Sequence, residues 1–180
     1  MDNAKEAEMS LHSITNYIPE STVFSRVAFD TIENPALRAG YEYWRSKCNG
    51  RRFPCRDDIK PRDIAGLLRY IALIKVEPDD FIYRIVGDVI VMAFGVPLQN
   101  RHLSDLVYDE PGFGTFVIPT LRQVAETGEP LALRGRIGRD VTRVNFTDSE
   151  NLLLPLGPDD HTVDHILTVS VYTASPFGYA

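Results

Sequence analysis

Stretches with strand character fall into two groups, two before a helical interval and three after it. This order restricts the possible folds more than any other feature of the chain. Residues 70–77, YIALIKVE, read as a strand, Pro78-Asp79-Asp80 as a turn, and 81–86, FIYRIV, as the return strand of a hairpin that Gly87 ends. The helical interval opens with a short apolar helix over 88–94, stopped by Gly95. Residues 97–108 are irregular, with a helical turn opened by Ser104. The longest later helix is predicted over 112–127, where Phe113, Phe116, Val117, Thr120, Leu121 and Val124 fall at i, i+3, i+4, i+7, i+8 and i+11. Pro119 inside that pattern predicts a kink or a delayed start, and Gly128 follows as the C′ residue. Three strands close the chain: 130–137, then 141–156 with a bend near Asp148-Ser149-Glu150, then 164–173. Gly138-Arg139-Asp140 and Gly157-Pro158-Asp159-Asp160 are the turns between them. In the last strand Ile166, Thr168, Ser170 and Tyr172 alternate against Leu167, Val169 and Val171. The order predicts an α+β fold, a five-stranded antiparallel sheet with helices on one face.

The chain before the hairpin is mostly helical or irregular. Asn34-Pro35 pairs a good N-cap with a proline suited to the first helical position. Leu37, Tyr41, Trp44 and Cys48 then form one helical stripe, and Asn49-Gly50 stops it, so this helix buries the only tryptophan. Residues 51–63, RRFPCRDDIKPRD, form a polar connector in which Pro61 opens a short helix with Ile64, Leu67 and Leu68 on its apolar face. Residues 23–32 read as a short strand or as a connector. At the N-terminus, Ala4, Ala7, Leu11, Ile14 and Ile18 are spaced 3, 4, 3, 4, as in a seam where one helix meets another; a frayed tail with chance alanines is the competing reading. The expected division is an N-terminal extension over 1–33, helical in part, a domain over 34–174 and a tail over 175–180.

Composition narrows the function classes. A chain of 180 residues suffices for one domain with one core. The formal net charge of −6 argues against DNA or RNA as the main partner, since polyanion binders carry a basic excess. No apolar run approaches the ~20 residues of a membrane helix, and the polar start MDNAKE lacks the apolar core of a signal peptide. No membrane and a cytoplasmic location are therefore expected. Cys48 and Cys55 match no zinc pattern and read as reduced thiols.

The order of elements resembles a PAS domain. Several motifs resemble one bacterial family of single-domain PAS proteins, typical of alphaproteobacteria. They are Tyr43-Trp44; the run from Gly50 through Arg51-Arg52-Phe53-Pro54-Cys55-Arg56-Asp57-Asp58-Ile59-Lys60-Pro61-Arg62-Asp63-Ile64; Ile74-Lys75-Val76-Glu77-Pro78; Tyr83-Arg84-Ile85-Val86-Gly87; and the stretch 95–106. Together they cover about 34–174. Asn100-Arg101 stands where the family commonly has Gly-Arg, and Asn tolerates the positive φ that such a turn needs. The resemblance implies a sensory or protein-interaction module without enzymatic activity, acting without an output domain in cis. It also implies dimerisation, here expected as a homodimer through the N-terminal seam, and contact with a further signalling protein. A small-molecule site is expected between the sheet and the helical middle, among Met92, Phe94, His102, Phe113, Phe116 and Tyr172. The resemblance names no cofactor.

Other constellations carry weaker chemistry. His161 and His165 have the spacing of a zinc-binding helix but lie in a turn entering a strand, where four residues hold the imidazoles about 13 Å apart; no metal site is expected. Haem needs an axial His, and the longest later helix has none; only His102 lies near. The flavin-binding motif of photosensor PAS domains is missing, since both cysteines precede the first strand of the hairpin. Arg134 and Arg136 share one face of their strand, near Arg139 and Arg143; they suit an acidic partner or an anion, although a solvated outer face is the preferred reading. The alternating charges of Arg56, Asp57, Asp58, Arg62 and Asp63 fit ion pairs that fix the connector. No catalytic residue is assigned. The alternatives are a small-molecule enzyme of α+β cone architecture, for which His102 and Tyr172 are the candidate groups, and a haem-binding sensor.

Overall fold

The computed structural model describes residues 21–109, 111–138 and 144–174, with side chains for 21–108, 116–138 and 144–174. The N-terminal seam, Arg139, Arg143 and the Phe113 side chain lie outside the described residues. The chain runs through β1 (Val23–Arg26), a 3₁₀ turn (Phe29–Thr31), α1 (Pro35–Cys48), two further 3₁₀ segments (Arg56–Asp58 and Pro61–Tyr70), β2 (Ile71–Val76) and β3 (Phe81–Val86). It continues through α2 (Asp88–Phe94), α3 (Leu103–Asp109), α4 (Pro111–Thr127), β4 (Leu131–Arg136), β5 (Phe146–Leu156) and β6 (His165–Ala174).

The fold is α+β, built on one antiparallel sheet of six strands in the order β1-β4-β5-β6-β2-β3. The sixth strand is β1, which adds to the edge beyond β4. Its four residues are too short to announce themselves by alternation, and only pairing with β4 makes them a strand. Helices stand on both faces rather than on one. A methyl group at Gly40 of α1 would lie 2.7 Å from Val169 Cγ2, so α1 approaches the sheet as closely as a glycine permits. Val169 alternates along β6 with Thr168 and Ser170, and those two face α2 and α4 on the other side. The far face presents Leu152, Leu154, Leu156, Leu167 and Val169 to α1, all 0–2 % exposed.

Local chemistry sets the element ends. Asn34 Oδ1 accepts from Ala36 N at 2.9 Å and Leu37 N at 3.4 Å, capping α1, and Asn49 ends the helix in the left-handed region at φ 49°. Asn100 also adopts a positive φ, 62°, as the turn there requires. The segment after Pro61 is 3₁₀ rather than α. With three residues per turn, Ile64 and Leu67 share the inner side, while Leu68 turns outward and is 37 % exposed. Proline does not delay α4, which begins at Pro111 and runs through Pro119. Pro119 is exposed, so water can take up the carbonyl it leaves without a donor. The irregularity of β5 falls between Phe146 and Asp148, just ahead of the expected bend.

Candidate functional site

A cavity of about 90 Å³ lies between the sheet and helices α2 and α4. The helices contribute Ile90, Phe94, Phe116, Val117, Thr120 and Leu121. The sheet contributes polar side chains, Ser149 and Asn151 on β5, Thr168, Ser170 and Tyr172 on β6 and Tyr83 on β3, set among apolar ones that include Ala72, Ile74, Leu133, Phe146 and Leu153. Cross-strand pairing puts Tyr172 opposite Ser149, and Ser170 opposite Asn151, so the polar groups adjoin. Asn151 Nδ2 donates to Ser149 Oγ at 3.0 Å. Thr168 Oγ1 accepts from Ala72 N at 3.3 Å and donates to Ala72 O at 3.4 Å. Ser149, Ser170 and Tyr83 are 4–6 % exposed.

Aromatic rings close two sides. Phe24 of β1 stacks on Phe116 of α4, centroids 4.7 Å apart. It reaches there by lying across Gly135, its partner on β4, where any side chain would overlap the Phe24 ring. The strand that adds to the sheet edge therefore also supplies a cavity wall. Phe94, Phe146 and Tyr172 form a second cluster, with centroids 4.6–6.0 Å apart. Burial pushes the phenols of both Tyr83 and Tyr172 well above the ordinary tyrosine range. The neighbouring Tyr172 raises Tyr83 further, while a hydrogen bond with Ser170 partly offsets the shift at Tyr172.

Of the residues singled out in the sequence, Phe94, Phe116 and Tyr172 line this cavity. Met92 does not: α2 turns Ile90 and Ala93 inward and leaves Met92 68 % exposed. Every residue of α2 from Val89 onward is apolar, so its sequence carries no stripe to tell these sides apart. His102 also stands outside the cavity. It forms an isolated bridge with Ile82, and its Nδ1 lies 3.2 Å from Asp80 Oδ2. Asp80 also accepts from Ser104 Oγ at 2.6 Å, at the start of α3. Burial raises the Asp80 carboxyl, but hydrogen bonds from Ser104, Phe81 and His102 outweigh it and hold the group below the ordinary carboxylate range. Phe113 belongs to α4, and its side chain is outside the described residues.

Arg134 and Arg136 lie on the opposite face of the sheet from the cavity. Each meets a carboxylate of β5, Arg134 with Glu150 at 3.4 Å and Arg136 with Asp148 at 2.8 Å. In the connector, Asp63 pairs with Lys47 at 3.0 Å, and Asp58 Oδ2 accepts from Cys55 N at 2.9 Å. Among the described residues no group of three or more His, Cys, Asp or Glu side chains is placed to hold a metal ion. Among the described residues the cavity lining offers no His, Cys or Met to a haem iron. No helix among the described residues is long and apolar enough to cross a membrane.

The signal for the polar strip is present in the sequence as the Thr168, Ser170, Tyr172 alternation, but alternation alone does not say which face is interior. The family model described as PAS domain matches residues 32–171 of the 180-residue chain. No curated protein matches it.

Proposed function

The chain belongs to the PAS-domain family, a family of sensory and interaction modules, and we propose that it senses a small molecule held in the cavity between the sheet and α4 and passes the signal to another protein by surface contact. The observation that carries this reading is the cavity itself, in which the polar side chains Ser149, Asn151, Thr168, Ser170, Tyr83 and Tyr172 of the sheet face mostly apolar residues of the helices. Among the described residues every buried side-chain nitrogen or oxygen already has a hydrogen-bond partner, so a ligand held there would share or exchange these bonds in a space otherwise lined by apolar side chains. The route outward runs along α4. Its middle turns line the cavity, and its C-terminal carbonyl, Thr127 O, accepts from Arg52 at 2.8 Å. Arg52 also donates to Asp160 O at 3.2 Å and pairs with Glu129 at 2.9 Å. A shift of α4 thus reaches the connector and the β5–β6 turn.

Enzymatic acid–base chemistry has little support here. Among the described residues the only ionisable side chains lining the cavity are the two tyrosines, phenols that are protonated at neutral pH in any case and that burial shifts further upward, and His102 is engaged with Asp80 outside it. As part of the same proposal, two copies pair through the seam Ala4, Ala7, Leu11, Ile14 and Ile18.

Native mass spectrometry of the freshly purified protein tests ligand and assembly together. The wild-type spectrum is expected to show a dimer with a noncovalent small-molecule adduct. Val117→Trp, which fills the space from a half-buried position on α4, should remove the adduct without unfolding the protein. The bare chain mass in both samples would count against ligand sensing, and monomers throughout would count against the pairing.

A further inference from the structure

The walls of the cavity are not equally fixed. Every lining residue except Phe24 belongs to an element that carries buried side chains. β1 has none: Phe24 is half-buried, while Val23, Ser25 and Arg26 are exposed, Val23 at 53 %. Among the described strands β1 pairs on one side only, with β4. The β4 side chains opposite Val23 and Ser25 turn elsewhere, Arg136 to Asp148 and Arg134 to Glu150 of β5. Phe24 is thus the only side chain of β1 packed against the core, and its ring rests on Phe116. A short edge strand of this kind is where local opening costs least. The segment that follows β1 is fastened. Phe29 stacks on Tyr41 of α1 with centroids 4.3 Å apart, Ile32 is 3 % exposed, and Arg38 donates to Ile32 O at 2.8 Å. The turn Phe29–Thr31 is therefore a fixed point about which β1 can swing. Gly135 contributes no side chain beneath the Phe24 ring, so lifting the ring uncovers that corner of the cavity among the described residues.

We infer that β1 is a movable wall: it unpairs from β4 about the Phe29–Thr31 turn, carries the Phe24 ring off Phe116 and opens the cavity at the sheet edge. Its use as the ligand's way in rests on the reading of this cavity as the ligand site; the motion itself does not. The juxtaposition that carries the inference is a cavity wall borne by the one lining element without a buried residue.

Two readouts on the full chain, without added ligand, test the motion. Val27 N donates to Ala132 O at 3.0 Å, so the amide of Ser25, two residues earlier, points to β4 as well. Both amides should exchange with deuterium in NMR far faster than those of β5 and β6, which are paired on both sides. Opening of the cavity is read with Thr120→Cys, a change of similar size at a half-buried lining position, through its rate of modification by methyl methanethiosulfonate. The native Cys48 and Cys55 serve as internal references. Ser25→Pro removes a ladder bond from an exposed position and leaves every wall side chain in place. It should speed modification at position 120 about tenfold, the equivalent of one lost backbone bond. The references should keep their rates, and Ser25→Ala should match the parent. Amides at Ser25 and Val27 as slow as those of the central strands would overturn the inference. So would modification at position 120 indifferent to Ser25→Pro, since the cavity would then open elsewhere. Either result leaves the cavity as a ligand site, whereas a missing adduct in native mass spectrometry removes the ligand and leaves the movable strand.

Discussion

Trp44→Ala is expected to cost the fold about 3–5 kcal/mol, the range for removing a large aromatic side chain from a core. Trp44 is 4 % exposed and lies on the face of α1 that carries Leu37 and Gly40 toward the sheet. Its Nε1 donates to Pro155 O at 2.9 Å, so alanine would also leave a buried carbonyl without its donor. Tyr41, with its ring centroid 6.1 Å from that of Trp44, loses its neighbour as well. Total stabilities of single domains run to about 5–15 kcal/mol, so the variant should lie near the edge of folding. Urea melts check it, with Trp44→Phe as the comparison; the phenylalanine should keep most of the burial and lose chiefly the hydrogen bond, about 1 kcal/mol. A loss below about 1 kcal/mol for the alanine variant would make α1 peripheral to the core.

Phe53→Ala should be comparably severe, again about 3–5 kcal/mol. Phe53 is 0 % exposed although it lies in a connector, and its ring sits against Gly128, just after α4, and Gly157, just after β5. Its neighbours fasten the same junction from outside. Arg51 donates to Gly157 O at 3.0 Å, and Arg52 donates to Thr127 O at 2.8 Å. Arg52 sits at the C-terminal end of α4, where a cation also favours the helix dipole. Since the ion pairs are exposed, Arg52→Ala should cost only about 1 kcal/mol or less. The contrast separates the two roles: the phenylalanine holds the layers together, and the arginine positions the end of α4. Urea melts of both variants measure it, and equal losses would mean that the clamp carries the junction as much as the ring does.

The order of elements was legible because its boundaries have strong local chemistry. Pro78-Asp79-Asp80, Gly87, Gly95, Gly128 and the turn from Gly157 separate segments whose periodicities differ. What could not be read was which side of each segment faces inward. In β6 the alternation of Thr168, Ser170 and Tyr172 against Leu167, Val169 and Val171 suggests a wet face and a dry one. In the structure both are covered: α1 lies over the apolar side, while α2 and α4 enclose the polar side around the cavity. Alternation reports polarity, and only tertiary packing decides what that polarity meets. The same limit explains Met92, which sits in a helix with no polar stripe, and β1, whose strand character depends on β4. The connector was recognisable as a motif, but its purpose appears only through contacts such as Arg52 with Thr127, 75 positions away.

The inward placement of the polar strip is tested most directly by the ionisation of Tyr83 and Tyr172, followed by NMR of ring-labelled protein with assignments from the Tyr→Phe variants. An unperturbed tyrosine is half ionised near pH 10. Burial disfavours the phenolate at both positions, so both signals should stay in the phenol form well beyond that pH for as long as the chain is folded. The sign for stability follows. Both groups ionise near pH 10 in the unfolded chain and resist ionisation in the folded one, so their contribution is complete below about pH 10 and declines as the pH rises above it. Ionisation of either tyrosine near pH 10 in the folded protein would place its hydroxyl in water and contradict an enclosed polar wall.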